Sequence, residues 1–154
     1  MAAGPIWGLV LALHLLGMAI LVGGTIYALA VLRPSLGLLD VNQRNSIQLQ
    51  TLKRFFFLIW HAMPLSIVTG WLMLAFPLAP AGGFGDRDWH IQAMQGLGIL
   101  MAILFAIAFF GPYKRVRRAL RPQPAAFDSL RSTLGINLVI ALLIVVIASL
   151  DHVF

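Results

Sequence analysis

The chain has 154 residues, 60% of them apolar and only 10% charged. A soluble domain carries about 25% charged residues, so this is the composition of an integral membrane protein. With no cysteine there are no disulfides, cysteine-ligated iron–sulfur clusters or thiolate copper sites, and the five acids are all aspartates, which disfavours carboxylate-rich metal cages and paired-carboxylate hydrolysis.

The opening MAAGPIW lacks the basic n-region of a signal peptide, and the apolar run behind it is too long for an h-region. It is read as a first membrane helix, retained in the mature protein and running from about Pro5 to Leu32, with Pro5 suited to a first helical turn. Leu9 to Leu32 alone is long enough, at about 1.5 Å per residue, to cross a bilayer's hydrocarbon core. His14 is the one group in that stretch that titrates near neutral pH. A charged side chain at such depth costs roughly 2.5–3.5 kcal/mol, and a neutral imidazole somewhat less, which makes His14 a functional candidate.

The linker Leu38 to Gln50, with its Asn and Gln residues, predicts a short interfacial helix. Further apolar segments run from about Phe55 to Phe76, Trp89 to Phe110 and Leu134 to Leu150. There are no alternating strands, low-complexity tracts or internal repeats. The expected fold is a single all-α domain over 1–154, four transmembrane helices in an up-down-up-down bundle.

Charge sets the expected topology. Arg33, Arg44, Lys53 and Arg54 follow the first segment, and Lys114, Arg115, Arg117, Arg118, Arg121 and Arg131 follow the third. These ten of the eleven basic residues fall on one side, and only Arg87 lies in the PLAPAGGFGDRDW loop, between Asp86 and Asp88. The positive-inside rule makes the basic loops cytoplasmic and both termini outside, in a multi-pass protein of the inner (plasma) membrane. Trp7, Trp71 and Trp89 suit the outer aromatic belt and Trp60 the inner one. The GPYKRVRRALRP segment, which in a soluble protein would suggest nucleic acid, here sets orientation and meets anionic lipid heads; no nucleic-acid partner is expected.

Counting up from each basic end places His14 at about 28 Å, His90 at about 36 Å and His152, beside Asp151, at about 31 Å. His61 lies at only about 10 Å, near the depth of Asn137. His14, Met18, Leu21 and Thr25 share one face of the first helix, and His90, Met94, Leu97 and Met101 form a stripe on the third. Gly17, Gly23 and Gly24 let a neighbouring helix or a flat macrocycle come close. Neutral imidazole is a good axial ligand for haem iron, with Met a common second. Imidazole and thioether equally suit copper, Met especially Cu(I). The bland readings are packing for the methionines, an interfacial position for His90 and His152, and for His61 a hydrogen bond to a carbonyl freed by Pro64.

LHLLGMAILVGGTIYALAVLRPSL resembles the first helix of copper-resistance D (CopD)-like membrane proteins. The arrangement of His14, Pro64, the WHIQ run at Trp89–Gln92 and Asn137 also resembles the HemJ-type protoporphyrinogen oxidases, four-helix membrane proteins. That family carries Lys where this chain has Gln92, which removes a cation for a porphyrin propionate or for proton transfer and weakens the oxidase reading. The resemblance implies haem b on the oxidase branch and copper uptake on the other. The favoured expectation is haem b in the outer half of the bundle, with His14 and His90 as axial ligands and His61 and His152 as lesser candidates. Gly17, Met18 and Met94 would line that site, and the protein would pass electrons to a quinone, porphyrin or membrane redox partner protein. The alternatives are a copper site of His14, Met18, His90 and Met94, and a purely structural subunit whose histidines only tie helices together; a second copy of the chain, in a homo-oligomer, is a candidate partner.

Overall fold

The computed structural model describes residues 5–75, 89–119 and 124–150. Every regular element among them is helical. The first helix, α1, runs Pro5–Ile26 and continues as a π-helix over Tyr27–Leu32, a short turn at Arg33–Ser35 and a 3-10 turn at Leu36–Leu38. The second, α2, runs Val41–Ala75. The third, α3, runs Trp89–Ala108, passes into a π-helix at Phe109–Tyr113, and ends in a basic turn at Lys114–Arg118. The fourth, α4, runs Pro124–Leu150. All four are long and apolar enough to cross a membrane.

Two boundaries differ from the sequence expectation. The predicted interfacial helix is the beginning of α2 itself, because nothing between Val41 and Met63 is a Gly or Pro that would end the helix. The fourth helix starts ten residues before Leu134, at Pro124, whose fixed φ and missing N–H suit a first turn.

The helices pair as two hairpins, α1 with α2 and α3 with α4, joined by lighter packing of α1 on α4 and α2 on α3. The pairs α1/α3 and α2/α4 are therefore the diagonals. Sequence phase decides which faces meet. Gly17, Leu21 and Thr25 are the buried residues of α1, and His90, Met101, Phe105 and Ala108 those of α3, so both predicted stripes face inward. Leu16, Phe57, Ile103 and Val139 are exposed on the lipid side, as expected where the solvent is hydrocarbon.

Aromatic rings close the basic end. Phe56 packs on Tyr113 at 4.4 Å between centroids and on Phe105 at 5.3 Å, while Trp60 stands edge-on to Phe109 at 5.2 Å. Lys114 Nζ lies 4.3 Å above Phe110, covering the last ring with a cation. Pro112 falls inside the π-helix, where the altered hydrogen-bond register accommodates its missing N–H.

Candidate metal centre

Membrane depth makes every interior polar group answer for its hydrogen bonds. At His14 the answer comes from α2. The ring Nδ1 lies 2.9 Å from the Ser66 carbonyl oxygen and 3.1 Å from Thr69 Oγ1. Thr69 gives its own hydroxyl hydrogen to the Leu65 carbonyl at 2.6 Å, so toward the imidazole it is an acceptor. A carbonyl is an acceptor only. Two acceptors on one nitrogen require that Nδ1 carry the proton, and in the neutral ring this leaves the lone pair on Nε2. The same arrangement orients metal-bound histidines, where a carbonyl or hydroxyl on one ring nitrogen fixes the tautomer and the aim of the other.

Close helix approach makes this geometry available. A Cβ on Gly17 would overlap Ser66 Oγ and lie 3.3 Å from the Ala62 carbonyl oxygen, so α1 and α2 meet with almost nothing between them. The approach that Gly17 permits is thus taken up by a helix. Gly70, one turn beyond Ser66, is equally needed, since a Cβ there would stand 3.2 Å from His14 Cε1. The Ser66, Thr69 and Gly70 contribution was not read from the sequence. The available signal was a run of small residues at helical spacing opposite a His.

The remaining candidates are placed as follows. Met18, one turn along α1 from His14, is half-buried against the core, as is Met94 on α3. His90 is buried at the second position of α3, with its ring edge-on to Trp89. It stands on the helix diagonal to His14's. His61 is exposed, and its Nδ1 donates to the Phe57 carbonyl of its own helix at 2.8 Å. The expectation that it bonds a carbonyl holds, but the carbonyl is Phe57's; Pro64 deprives Trp60's of a partner. Nor does His61 meet Asn137. Residue 61 is about 200° around the helix from both 59 and 63, which face the core, so it points outward. His152 and Asp151, like the loop bearing Asp86, Arg87 and Asp88, lie outside the described residues.

A second polar point lies deeper. Thr25, Met63, Met101 and Asn137 line a cavity of about 10 Å³ among the aromatic and aliphatic residues of the core. That is about the space of one water molecule. Asn137 is 8% exposed, and its Oδ1 has no hydrogen-bond partner among the described residues. Thr25 donates to the Leu21 carbonyl at 2.7 Å, leaving its oxygen lone pairs available. Among the described residues no three His, Asp or Glu side chains gather as a metal cage. The interior instead offers one aimed imidazole, thioethers and neutral oxygens, a donor set that suits a soft monovalent ion far better than a hard divalent one.

Comparison with curated proteins and with solved structures finds no match. A family model described as copper resistance protein D, CopD, matches residues 49–150, a span from α2 to the end of α4 that leaves out α1 and His14. That span is well over half of the sequence, and the chain belongs to the copper resistance protein D family.

Proposed function

We propose that the protein handles copper within the membrane, taking Cu(I) at His14 and passing it through the interior of the bundle. The observation that carries this reading is the His14 ring, held by Ser66 and Thr69 with its Nε2 lone pair free of the Nδ1 proton, in a member of the CopD family. Imidazole and thioether are ligands that Cu(I) prefers, and Met18 stands on the same face one turn away. The pocket of Met63, Met101, Thr25 and Asn137 supplies a second station. On α1, Thr25 lies about 16 Å from His14 along the axis at helical rise. Two stations of few, soft, neutral ligands favour passage over storage, because an ion must leave each to reach the next. By the positive-inside rule the His14 end faces out and the ion travels inward. Copper is the cargo on this reading.

The test is Cu(I) binding by the anaerobically purified protein against a chromophoric chelator, with an absorption spectrum of the same sample. Copper bound by the wild type and lost in His14→Ala supports the reading. Copper bound equally by both overturns the assignment to His14. Protein that purifies with a Soret band and binds no copper belongs to the haem b reading, with His14 as an axial ligand. Neither signal would leave His14 the role of tying α1 to α2.

A further inference from the structure

Another cavity lies at the other end of the molecule. A groove of about 440 Å³ lies where the π-helical end of α1, the beginning of α2 and the beginning of α4 come together. Ligand pockets commonly span about 300–1,000 Å³, so this one is large enough to hold a small molecule or part of a larger one. Its walls divide by chemistry. Ala28, Leu32, Phe127 and Leu134 give an apolar floor, and Arg33, Arg44 and Arg131 bring three guanidinium groups from three different elements. Asp128 is the single acid lining it. Among the described residues none of the three arginines is in an ion pair. The other cluster of positive charge, Arg115, Arg117 and Arg118, sits on the separate turn after α3 and does not line the groove.

We propose that this groove is a binding site for one anionic phospholipid, its phosphate held by Arg33, Arg44 and Arg131 and the upper part of an acyl chain lying on the apolar floor. Charge complementarity selects the occupant. Three arginines with no ion pair among the described residues attract an anion, guanidinium forks match phosphate oxygens two at a time, and an apolar floor beneath them calls for an amphiphile. Basic pockets between membrane helices at headgroup level recognise lipids in this way. Asp128 at the rim opposes a second phosphate and accepts hydrogen bonds from a hydroxylated headgroup, which makes phosphatidylglycerol the apt probe. The two ends of α1 thus have separate tasks, and the lipid site does not depend on the copper reading.

The experiment uses the full chain, delipidated in a mild detergent and titrated with phosphatidylglycerol or phosphatidylcholine, with bound lipid counted by native mass spectrometry. One phosphatidylglycerol should be retained per chain, at least tenfold more tightly than phosphatidylcholine. Arg33→Gln/Arg131→Gln should lose that preference, and Ala28→Phe, which fills the floor and leaves every charge, should weaken retention as much. Arg115→Gln/Arg117→Gln should retain the lipid. Helical circular dichroism of each variant checks the fold, and if the double arginine variant does not fold, Ala28→Phe carries the test. The proposal is overturned by equal retention of phosphatidylcholine, by displacement with millimolar inorganic phosphate, by equal loss in the Arg115/Arg117 variant, or by unchanged retention when the floor is filled.

Discussion

Thr69→Val removes one oxygen from the His14 site and keeps the shape of the side chain. In the wild type the Nδ1–H has two acceptors, the Ser66 carbonyl at 2.9 Å and Thr69 Oγ1 at 3.1 Å. The carbonyl remains in the variant, so the tautomer is preserved and only part of the orienting energy disappears. A net hydrogen bond contributes about 0.5–1.5 kcal/mol, a factor of roughly 2 to 12 in an equilibrium constant. Complete loss of such an outer partner typically costs about 10- to 100-fold in metal affinity. With one of two acceptors kept, Cu(I) affinity should fall about fivefold. Chelator competition measures it, with Thr69→Ser as the control that restores the hydroxyl without the methyl. An affinity unchanged in Thr69→Val would refute the orienting role. A loss in Thr69→Ser equal to that in Thr69→Val would assign the effect to methyl packing.

Gly70→Ala places a Cβ 3.2 Å from His14 Cε1, so the ring must give by a few tenths of an ångström; copper affinity should fall severalfold, while Gly23→Ala, which meets nothing within 4 Å, should leave it unchanged. Gly17→Leu cannot be absorbed where Ser66 Oγ and the Ala62 carbonyl already touch the position, and should destabilise the fold by about 1–3 kcal/mol in thermal unfolding in detergent. His61→Ala should leave copper binding and the unfolding midpoint near wild type, because the ring is exposed and bonds only its own helix. Asn137→Leu removes a buried acceptor with no described partner, so stability should hold or rise, while copper transfer across liposomes slows and chelator-measured binding at His14 persists.

The sequence carried the fold well because membrane solvent leaves few options. Apolar runs of helical length had to be helices, and the inward faces of α1 and α3 followed from the spacing of His14, Met18, Leu21 and Thr25 and of His90, Met94, Leu97 and Met101. It carried the site less well. Ser66, Thr69 and Gly70 are an ordinary small-residue run until α1 is set against them, and which helix lies opposite is a property of packing. His61 shows the same limit. The rise count sets it near the level of Asn137, but depth and phase are separate coordinates, and phase turns it away from Asn137. The two π-helices left no local mark in the apolar sequence either, although Pro112 stands inside one of them.

Two hydroxyl-bearing turns of the bundle, at Thr25 and Thr69, make the same local bond for different ends. Thr25 donates to Leu21 and Thr69 to Leu65, each satisfying its own hydrogen one turn back. In a helix interior that back-bond has a small cost and ordinarily only settles a polar group in lipid. Here its consequence is chemical: a threonine that has spent its hydrogen can act toward the bundle interior only as an acceptor. At Thr69 the interior partner is the His14 N–H, which polarises the ring and raises the donor strength of Nε2. At Thr25 the cavity is also lined by Asn137, Met63 and Met101, and the Asn137 Oδ1 has no hydrogen-bond partner among the described residues. A buried acceptor left without a donor is one that a cation can use and that a purely structural core would avoid. The lower cavity is therefore the part of the bundle where the copper reading differs most from simple helix tying, and Asn137→Leu, which fills it without touching His14, separates the two.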